Sequence, residues 1–325
     1  MRLAVTGITG TIGLALGDRL ERDGSVERVV GLSRHPFEPA ARGWTKIEHR
    51  VADVRDPDAL RDAFDGAEVV IHLAFALHGV TEGPAALRAI NVGGTRNAFE
   101  AAVEAGARRF VHASSAAAYG VRDLPVPITE DQPTRPDPEH FYSEHKAQAE
   151  ALLAEAAKAD GAPELTMLRP CGVAGPHAAA GAARAWPPAV RQLAKYAFGS
   201  GLRVPMLAPA VPMQFLHETD AAAAFQRAAT AEATGTFNIG PDDVLDGPEV
   251  LRALGIVPLP APAVARQAAL TALASLPVPV PAWSWLHLVR VPYVLDISAA
   301  RAELKWWPRY SSREALASTR AAWSA

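Results

Sequence analysis

The sequence predicts an α/β protein whose core is a doubly wound parallel sheet, accompanied by a smaller substrate-binding domain built from discontinuous segments. Short apolar segments alternate with helical segments from Arg2 to Arg169, and a glycine-rich turn follows the first apolar segment. The alternation then breaks down after Pro176. Strands that alternate with helices form a parallel sheet covered on both faces, and such sheets bind ligands at the carboxyl ends of their strands.

The expected elements follow one another along the chain. Strands are predicted in RLAVT, ERVVGLS, KIEHRV, VVIHLA, RRFVHASS and ELTMLR, with helices over Ile12–Asp23, from Pro57, over Asn91–Ala105 and across FYSEHK. FLHETDAAAAFQRAA and GTFNIG add one further helix and strand. We assign residues 1–176 and 214–241 to the sheet domain and residues 177–213 and 242–325 to the smaller domain, with the substrate in the cleft between them.

Composition argues against several classes of protein. The 325 residues are 49% hydrophobic and 21% charged, with a formal net charge of −3 and no run of like charges, so neither nucleic acid nor an anionic membrane surface is an expected partner. Cys171 is the only cysteine and the ten histidines are scattered, so we predict no disulfide framework and no metal site. The N-terminal apolar run is too short for a signal peptide, and we expect a cytoplasmic protein.

One uncharged stretch, Gln267–Val289, has the length of a membrane span. Pro277, Pro279 and Pro281 interrupt it, and alternate prolines cannot continue a helix. This pattern favours a buried helix followed by an extended Pro-rich segment. It disfavours a membrane-spanning helix.

The glycine-rich turn TGITGTIG predicts a dinucleotide site. Gly7, Gly10 and Gly13 lie between a strand and a helix, where glycine lets the backbone turn tightly and approach a pyrophosphate at the helix N-terminus. About 20 residues later, at the end of the second strand, an acid selects NAD and an arginine accommodates the 2′-phosphate of NADP. Ser33 stands where the acid is expected and Arg34 follows it, which favours NADP, although a solvated loop arginine is the alternative interpretation.

A second pattern is Tyr142 followed four residues later by Lys146, within FYSEHK. Residues four apart lie on the same face of a helix, about one turn from each other. Taken alone, such a pair is typical of a solvent-exposed helix surface. Its meaning depends on the rest of the chain.

Over nearly its whole length the sequence resembles the extended short-chain dehydrogenase/reductases, which include the NAD-dependent epimerase/dehydratase enzymes. The matching segments are TGITGTIG, ADV at Ala52–Val54, HLAF at His72–Phe75, NVGGTRN at Asn91–Asn97, SSAAAYG at Ser114–Gly120, YSEHK at Tyr142–Lys146, LRPCGVAGP at Leu168–Pro176, FLHETD at Phe215–Asp220 and the C-terminal DISAARAELKWWPRYS. Each segment is common alone, whereas all of them in this order are specific.

The resemblance implies a Rossmann fold and a catalytic set of Ser115, Tyr142 and Lys146, in which the Lys146 ammonium favours the Tyr142 phenolate. It places Asp53 and Val54 beside the adenine, the backbone around Ala74 along the cofactor and the Pro170–Val173 loop beside the nicotinamide. The residues expected to bind NADP, or NAD, are Gly7, Thr9, Gly10, Thr11, Ile12, Gly13, Ser33, Arg34, Asp53, Val54, Leu73, Ala74, Phe75, Asn91, Ala113, Ser114, Tyr142, Lys146, Pro170, Gly172 and Val173.

We therefore expect an NAD(P)-dependent oxidoreductase that acts on a secondary alcohol or ketone, assembled as the homodimer common in this family. A nucleotide-sugar 4-epimerase with tightly bound NAD is the alternative, and a non-catalytic NADP-binding sensor is the third reading. Ala116 and Ala117 stand where dehydratases of the family carry an Asp-Glu pair, which disfavours dehydration. Gly172 replaces an Asn with which epimerases bind a diphosphate, so a substrate with an apolar body is favoured.

The Pro-rich C-terminal segment bears on the same question. Its apolar residues either line a substrate pocket or form the core of the smaller domain, and they are Trp283, Trp285, Leu286 and Leu288. Arg290 is the one cation near them, and it keeps phosphate binding by the epimerase alternative open.

Overall fold

The computed structural model describes residues 1–77, 83–120, 124–138, 140–185, 192, 205–208, 211–259, 262, 264–265, 268 and 292–324. The candidate membrane span Gln267–Val289, apart from Ala268, lies outside these residues, as do the apolar set from Trp283 to Leu288 and Arg290. Among the residues described, no helix combines the length and apolar character that crossing a bilayer requires.

A seven-stranded parallel sheet forms the centre of the molecule. In chain order its strands are β1 (Arg2–Thr6), β2 (Arg28–Ser33), β3 (Ile47–Val51), β4 (Val69–His72), β5 (Arg109–Ala113), β6 (Glu164–Pro170) and β10 (Gly235–Ile239). Their spatial order is β10-β6-β5-β4-β1-β2-β3, so the chain first builds outward from β1 and then reverses direction. This is the doubly wound arrangement that the alternation of strands and helices predicted, and its ligand site is expected where the order reverses.

Helices cover both faces of the sheet. They are α1 (Thr11–Arg22), α2 (Pro57–Phe64), α3 (Pro84–Arg88), α4 (Gly94–Glu104), α5 (Phe141–Ala156), α6 (Pro176–Ala185), α7 (Glu218–Thr230), α8 (Gly247–Ala253), α9 (Ser298–Ala302) and α10 (Ser312–Ser324). A π-helical turn, Ala89–Gly93, joins α3 to α4, and single turns of 3-10 helix occur at Pro39–Arg42 and Ala116–Tyr119.

The alternation of side chains along β1 shows how the two layers form. Leu3 and Val5 are buried in the cluster that contains Leu16 of α1 and Phe225 of α7. Ala4 is buried in the opposite cluster, with residues of α2, α4 and α5. Because successive strand residues point to opposite faces, a strand buried on both sides is apolar over its buried centre, as β1 is from Leu3 to Val5.

The segment after β6 forms two small sheets rather than a continuation of the large one. Strand β7 (Gly172–Ala174) pairs in parallel with β9 (Phe215–His217), and β8 (Pro205–Leu207) pairs in parallel with β11 (Val257–Leu259). These strands are three residues long, which is too short for a periodic pattern to identify in the sequence. None of them was predicted as a strand.

The predicted elements occur with small shifts and two clear errors, one of which is Phe215–His217, which was expected in a helix and forms strand β9. Helix α1 begins at Thr11 and ends at Arg22, within one residue of the prediction at each end. The helix expected to start at Asn91 instead starts at Pro84 and passes through the π-helical turn. Proline is favourable at the first helical position, because the N–H that it lacks would have no partner in the helix, and this signal was overlooked.

Candidate active site

Every sequence-predicted site residue lies at or just beyond the carboxyl end of a strand of the large sheet, or on a helix beside it. The glycine loop follows β1, Ser33 ends β2, and Asp53 follows β3. Leu73 follows β4, Ser115 follows β5, and Pro170 ends β6. Since these strands are parallel and adjacent, their carboxyl ends meet along one edge of the sheet, which therefore gathers the whole predicted set.

The glycine loop is compact because glycine is required at two of its positions. Gly7 has φ +74°, and a Cβ atom there would lie 2.8 Å from the amide nitrogen of Ala74. A Cβ atom on Gly13 would lie only 2.3 Å from the carbonyl oxygen of Gly7. The Gly7 amide is held by the carbonyl of Leu32 at 2.8 Å. The loop can therefore pack closely against β4 and still present its backbone on the outside.

The N-terminus of α1 fits the phosphates of a dinucleotide. Its N-cap, Gly10, makes no side-chain capping hydrogen bond, and no acidic residue occupies the first turn. The loop and first-turn residues Thr9, Gly10, Thr11 and Ile12 all remain at least partly exposed. Uncapped N–H groups and the positive end of the helix dipole attract an anion, so this cradle matches the cofactor's pyrophosphate in both shape and charge.

The part of the site predicted to take the adenine and its ribose contains opposite charges. The carboxylate of Asp53 accepts hydrogen bonds from the Arg55 guanidinium at 2.7 and 3.0 Å. These bonds hold the pKa of Asp53 below its usual value, against the effect of partial burial, and the positive charge of Arg34 adds to them. Arg34 is exposed and has no hydrogen-bond or ion-pair partner among the residues described. Its guanidinium is thus available beside the carboxyl end of β2.

Ser33 and Val54 are held in place by neighbouring side chains. The Ser33 hydroxyl donates to the carbonyl of His35 at 2.9 Å and lies 2.7 Å from Nε2 of His49. Val54 is buried, and its carbonyl accepts a hydrogen bond of 3.0 Å from the amide of Asn97. The chain at Ser33 and at Val54 is therefore fixed by contacts within the protein.

The segment after β4 is clamped by Asn91. The Asn91 side-chain oxygen accepts from the amide of Ala76 at 2.7 Å, and its nitrogen donates to the Ala76 carbonyl at 3.0 Å. Asn91 is completely buried. At the strand end itself, the Ala74 amide donates to the Thr6 hydroxyl at 3.3 Å. The contribution of Asn91 to a cofactor site is thus to shape Leu73–Ala76 rather than to present its amide at the surface.

Ser115, Tyr142 and Lys146 come together as expected. Ser115 has extended backbone and precedes the 3-10 turn, and its hydroxyl hydrogen-bonds the Tyr142 phenol. The Lys146 ammonium donates a hydrogen bond of 2.5 Å to the carbonyl of Ala113, the last residue of β5. Tyr142 and Lys146 lie one turn apart on α5, so this helix presents both to the strand end that carries Ser115.

Phe75 completes the group in a way that the sequence did not indicate. The Lys146 ammonium lies 3.6 Å from the centre of the Phe75 ring, in the geometry of a cation–π contact. The same ring packs edge-on against Tyr142, with ring centres 5.5 Å apart and an interplanar angle of 89°. Phe75 was expected at the cofactor only through the segment HLAF, and its side chain in fact contacts both the predicted acid/base and its lysine.

Burial shifts the proton affinities of the two titratable groups in opposite directions. Burial raises the pKa of the Tyr142 phenol, and the hydrogen bond with Ser115 opposes this effect. Burial lowers the pKa of Lys146 to about 7, opposed by the negative charge of Glu150. A buried group disfavours its charged form, which is a phenolate for tyrosine and an ammonium for lysine. The lysine is therefore poised to exchange its proton near neutral pH.

The loop after β6 is held beside this group. Pro170 ends β6, and Gly172 and Val173 belong to β7, which pairs with β9. Gly172 is exposed, and a Cβ atom there would make only ordinary contact with Phe215, at 3.5 Å. Packing therefore does not require glycine at this position.

The residues Ala116 and Ala117 lie in the 3-10 turn directly after Ser115, and both are buried. Neither carries an ionisable group, so this turn cannot supply the acid and base of a dehydration at these two positions. That dehydration is disfavoured stays a prediction.

Two buried charged residues of the site were missed. Glu150 is one turn beyond Lys146 on α5 and accepts two hydrogen bonds from Arg169 of β6, at 2.6 and 2.9 Å. It also accepts a hydrogen bond from the hydroxyl of Ser114. The spacing Tyr142, Lys146, Glu150 repeats every four residues on one helix face, and this signal was available in the sequence.

A family model for the NAD dependent epimerase/dehydratase family matches residues 3–240 of the chain. The chain belongs to that family. The resemblance to extended short-chain dehydrogenase/reductases inferred from the sequence motifs is thereby confirmed, and with it the Rossmann arrangement of the large sheet. As its name states, the family consists of NAD-dependent enzymes.

Three proteins that the chain resembles share 20% to 32% identity with it. An uncharacterised protein of Mycobacterium tuberculosis is 29% identical, over 96% of this chain and 81% of its own length. An L-arabinose 1-dehydrogenase (NAD(P)(+)) of Haloferax volcanii is 32% identical, over 46% of this chain and 59% of its own. The crystal structure of a UDP-glucose 4-epimerase of Thermotoga maritima with UDP-glucose has a TM-score of 0.75, 20% identity, and coverage of 99% of this chain and 98% of its own. This last likeness establishes the fold.

Proposed function

We propose that the protein is an NAD(P)-dependent oxidoreductase that transfers a hydride at a secondary alcohol or ketone. The observation that carries the proposal is the hydrogen bond between Tyr142 and Ser115, with the buried Lys146 one helical turn away. All three residues lie at the carboxyl edge of the sheet, the edge that also carries the glycine loop, which is fit for a dinucleotide. A proton-transfer pair beside a nicotinamide site is the arrangement that alcohol oxidation and ketone reduction need.

The cofactor would be held along the whole edge of the sheet. Its pyrophosphate fits the N-terminus of α1 and the loop from Gly7 to Gly13, its adenine side the segment at Asp53 and Val54, and its nicotinamide side the strand ends at Ala113 and Pro170. Leu73, Ala74 and Phe75 lie between these ends. When bound, the nicotinamide supplies or accepts the hydride.

The chain's own residues perform the proton chemistry. In the oxidative direction the Tyr142 oxygen takes the proton of the substrate hydroxyl, and in the reductive direction it returns that proton to the carbonyl oxygen. The Ser115 hydroxyl, already bonded to Tyr142, holds the same substrate oxygen. The positive charge of Lys146 favours the phenolate form of Tyr142, against the effect of burial on that phenol.

The exposed guanidinium of Arg34 supports NADP as the preferred cofactor. A 2′-phosphate next to an arginine forms a charge-assisted contact that the 2′-hydroxyl of NAD cannot make. The alternative, NAD, is supported by the family's name.

We infer a substrate with an apolar body, held between the sheet domain and the smaller domain formed by residues 177–213 and 242–325. Gly172 leaves the position of a diphosphate-binding side chain empty although packing would admit one. The arabinose dehydrogenase relative supports the dehydrogenase class of reaction, whereas the fold shared with a UDP-glucose 4-epimerase supports the runner-up, a nucleotide-sugar 4-epimerase. A non-catalytic NADP sensor is the third hypothesis. For the assembly, we continue to expect a homodimer.

The cofactor retained on the purified protein distinguishes the oxidoreductase from the epimerase. An epimerase regenerates its bound nicotinamide in each cycle, whereas a reductase exchanges it. The experiment is mass spectrometry of the cofactor that stays on the purified protein, followed by a turnover screen of secondary alcohols and ketones with added NADPH or NADP. We expect little retained cofactor and turnover that depends on added cofactor. Stoichiometric retained NAD with no exchange would contradict the proposal and favour the epimerase, and binding without any turnover would favour the sensor.

A further inference from the structure

A buried ion pair lies directly behind the candidate catalytic residues. The carboxylate of Glu150 accepts hydrogen bonds from Nε and a terminal nitrogen of Arg169, at 2.9 and 2.6 Å. Only 4% of the Glu150 side chain and 7% of the Arg169 side chain are exposed. Burying two charges costs free energy that a single pair seldom recovers, so such a pair is weak evidence of a purely stabilising role.

The pair joins the segments that carry the proposed catalytic residues. The Ser114 hydroxyl donates to Glu150, which lies on the helix of Tyr142 and Lys146. Ser114 lies between Ala113, whose carbonyl accepts from Lys146, and Ser115. The carboxylate of Glu150 therefore fixes the end of β5 against α5 at the point where the two elements face each other.

Arg169 extends these contacts to two further segments. Its guanidinium lies 4.6 Å from the centre of the Tyr119 ring, in the 3-10 turn that follows Ser115. The Tyr119 hydroxyl donates to the side-chain oxygen of Asn238 in β10 at 2.7 Å. Arg169 also immediately precedes the Pro170–Val173 loop. The buried pair thus contacts the end of β5 and the 3-10 turn after Ser115, and it directly precedes the Pro170–Val173 loop.

Glu150 differs in charge from the other titratable groups described around Lys146. On α5 the lysine has Tyr142 on one side and Glu150 on the other, and His72 of β4 and His112 of β5 lie within electrostatic range of it. Burial lowers the pKa of His72 to about 3 and that of His112 well below its usual value, so both rings are neutral near pH 7. Beyond Glu150 lies the positive charge of Arg169. Among the residues described, Glu150 is therefore the acid whose charge supports the Lys146 ammonium.

We propose that Glu150 is a positioning residue of this site, which holds the Ser114–Ser115 strand end against α5 and supplies the negative charge that the buried Lys146 ammonium faces. The inference rests on the proposed function, because that function gives Lys146 its catalytic role. The protonation of Lys146, however, can be measured without a substrate. If Glu150 loses its charge, the effect of burial on Lys146 is no longer opposed and its ammonium becomes harder to maintain. Tyr142 then loses the cation that favours its phenolate.

The direct test is an NMR titration of Lys146. The chain has five lysines, so protein labelled with ¹³C at the lysine Cε gives a small set of signals, and the Lys146 signal is the one that disappears in Lys146→Arg. Each signal reports the pKa of its own ammonium as the pH is changed. The measurement needs neither cofactor nor turnover.

We expect Lys146 in the unmodified protein to titrate far below an ordinary lysine, and Glu150→Gln to lower its pKa further by about one unit. Glu150→Asp keeps the negative charge, so the pKa of Lys146 should stay close to its value in the unmodified protein. The matched control is Glu155→Gln, an identical change on an exposed part of the same helix, where Glu155 pairs with Lys158. This control should not move Lys146.

Glu150→Gln leaves Arg169 buried without its partner, which can prevent folding. The double variant Glu150→Gln, Arg169→Gln removes both charges, and the pKa of Lys146 should still fall, because of these two residues Glu150 is the one whose charge acts on Lys146. An unchanged Lys146 pKa in the folded single or double variant would overturn the inference.

The two proposals fail in different ways. A lowered Lys146 pKa in a protein that shows no turnover would contradict the oxidoreductase and leave the charge relationship standing. Turnover whose pH profile and Lys146 titration are both unaffected by Glu150→Gln would support the oxidoreductase and contradict the role of Glu150.

Discussion

The ammonium of Lys146 lies 5.8 Å from the centre of the Tyr142 ring, one turn further along the same buried helix face. This relationship distinguishes the pair from an exposed tyrosine and lysine on a helix surface. Lys146 is only 3% exposed, so the fold buries its side chain despite the free energy that burying a charge costs. A buried ammonium next to a phenol that is bonded to a serine is an arrangement suited to proton transfer.

The glycine loop provides the first prediction. Gly13→Ala should weaken binding of either dinucleotide by about tenfold or more, equivalent to about 1.4 kcal/mol, because the new Cβ atom would displace the backbone of Gly7. Titration calorimetry with NADPH and NADH measures the effect. The control is Gly24→Ala, since a Cβ atom at Gly24 has no atom within 4 Å. Equal affinities for Gly13→Ala and the unmodified protein would place the pyrophosphate elsewhere.

Arg34 provides the second prediction, which concerns cofactor choice. We expect the protein to bind NADPH more tightly than NADH by about tenfold or more, and Arg34→Ala to remove most of this difference through its loss of affinity for NADPH alone. Arg42→Ala is the control, because Arg42 is already paired with Asp18 at 2.7 Å and should leave the preference intact. If the unmodified protein binds the two cofactors equally, the Arg34 side chain does not meet the 2′-phosphate.

The third prediction concerns the substrate. A diphosphate that enters a site without donors loses its hydration and gains too little in return. We therefore expect protein loaded with cofactor to bind hydrophobic ketones and to bind UDP, dTDP and GDP poorly in parallel titrations. Micromolar binding of one of these nucleotides, lost on Arg290→Ala, would disprove the apolar substrate and promote the epimerase.

The sequence was most informative where structure follows from local pattern. The central strands of the large sheet have apolar centres because both their faces are buried, and this produced recognisable segments such as Val69–His72, whose first three residues are apolar. The glycine spacing from Gly7 to Gly13 reflects close approaches that the backbone itself makes. The order of strands across the sheet could not be predicted from these patterns alone, because pairing is a long-range property.

The remaining site features depend on contacts between distant parts of the chain. Arg169 and Glu150 are 19 residues apart and belong to a strand and a helix, so neither residue alone indicated a buried pair. The packing of Phe75 against Lys146 joins the end of β4 to α5, and a pattern within either segment does not reveal it. The short pairing of β7 with β9, which orders the loop beginning at Gly172, involves three residues on each strand and no periodic signal.

The most direct test of the central claim is the turnover rate of Tyr142→Phe. The substitution removes only the hydroxyl that would carry the substrate proton, so cofactor affinity should stay within a few-fold of the unmodified protein. With a substrate identified by the screen, the rate of nicotinamide oxidation or reduction followed by absorbance should fall to background, whereas Tyr310→Phe, at a partly exposed ring, should keep the full rate. A Tyr142→Phe protein that turns over at a near-normal rate would contradict the assignment of Tyr142 as the acid/base of this site.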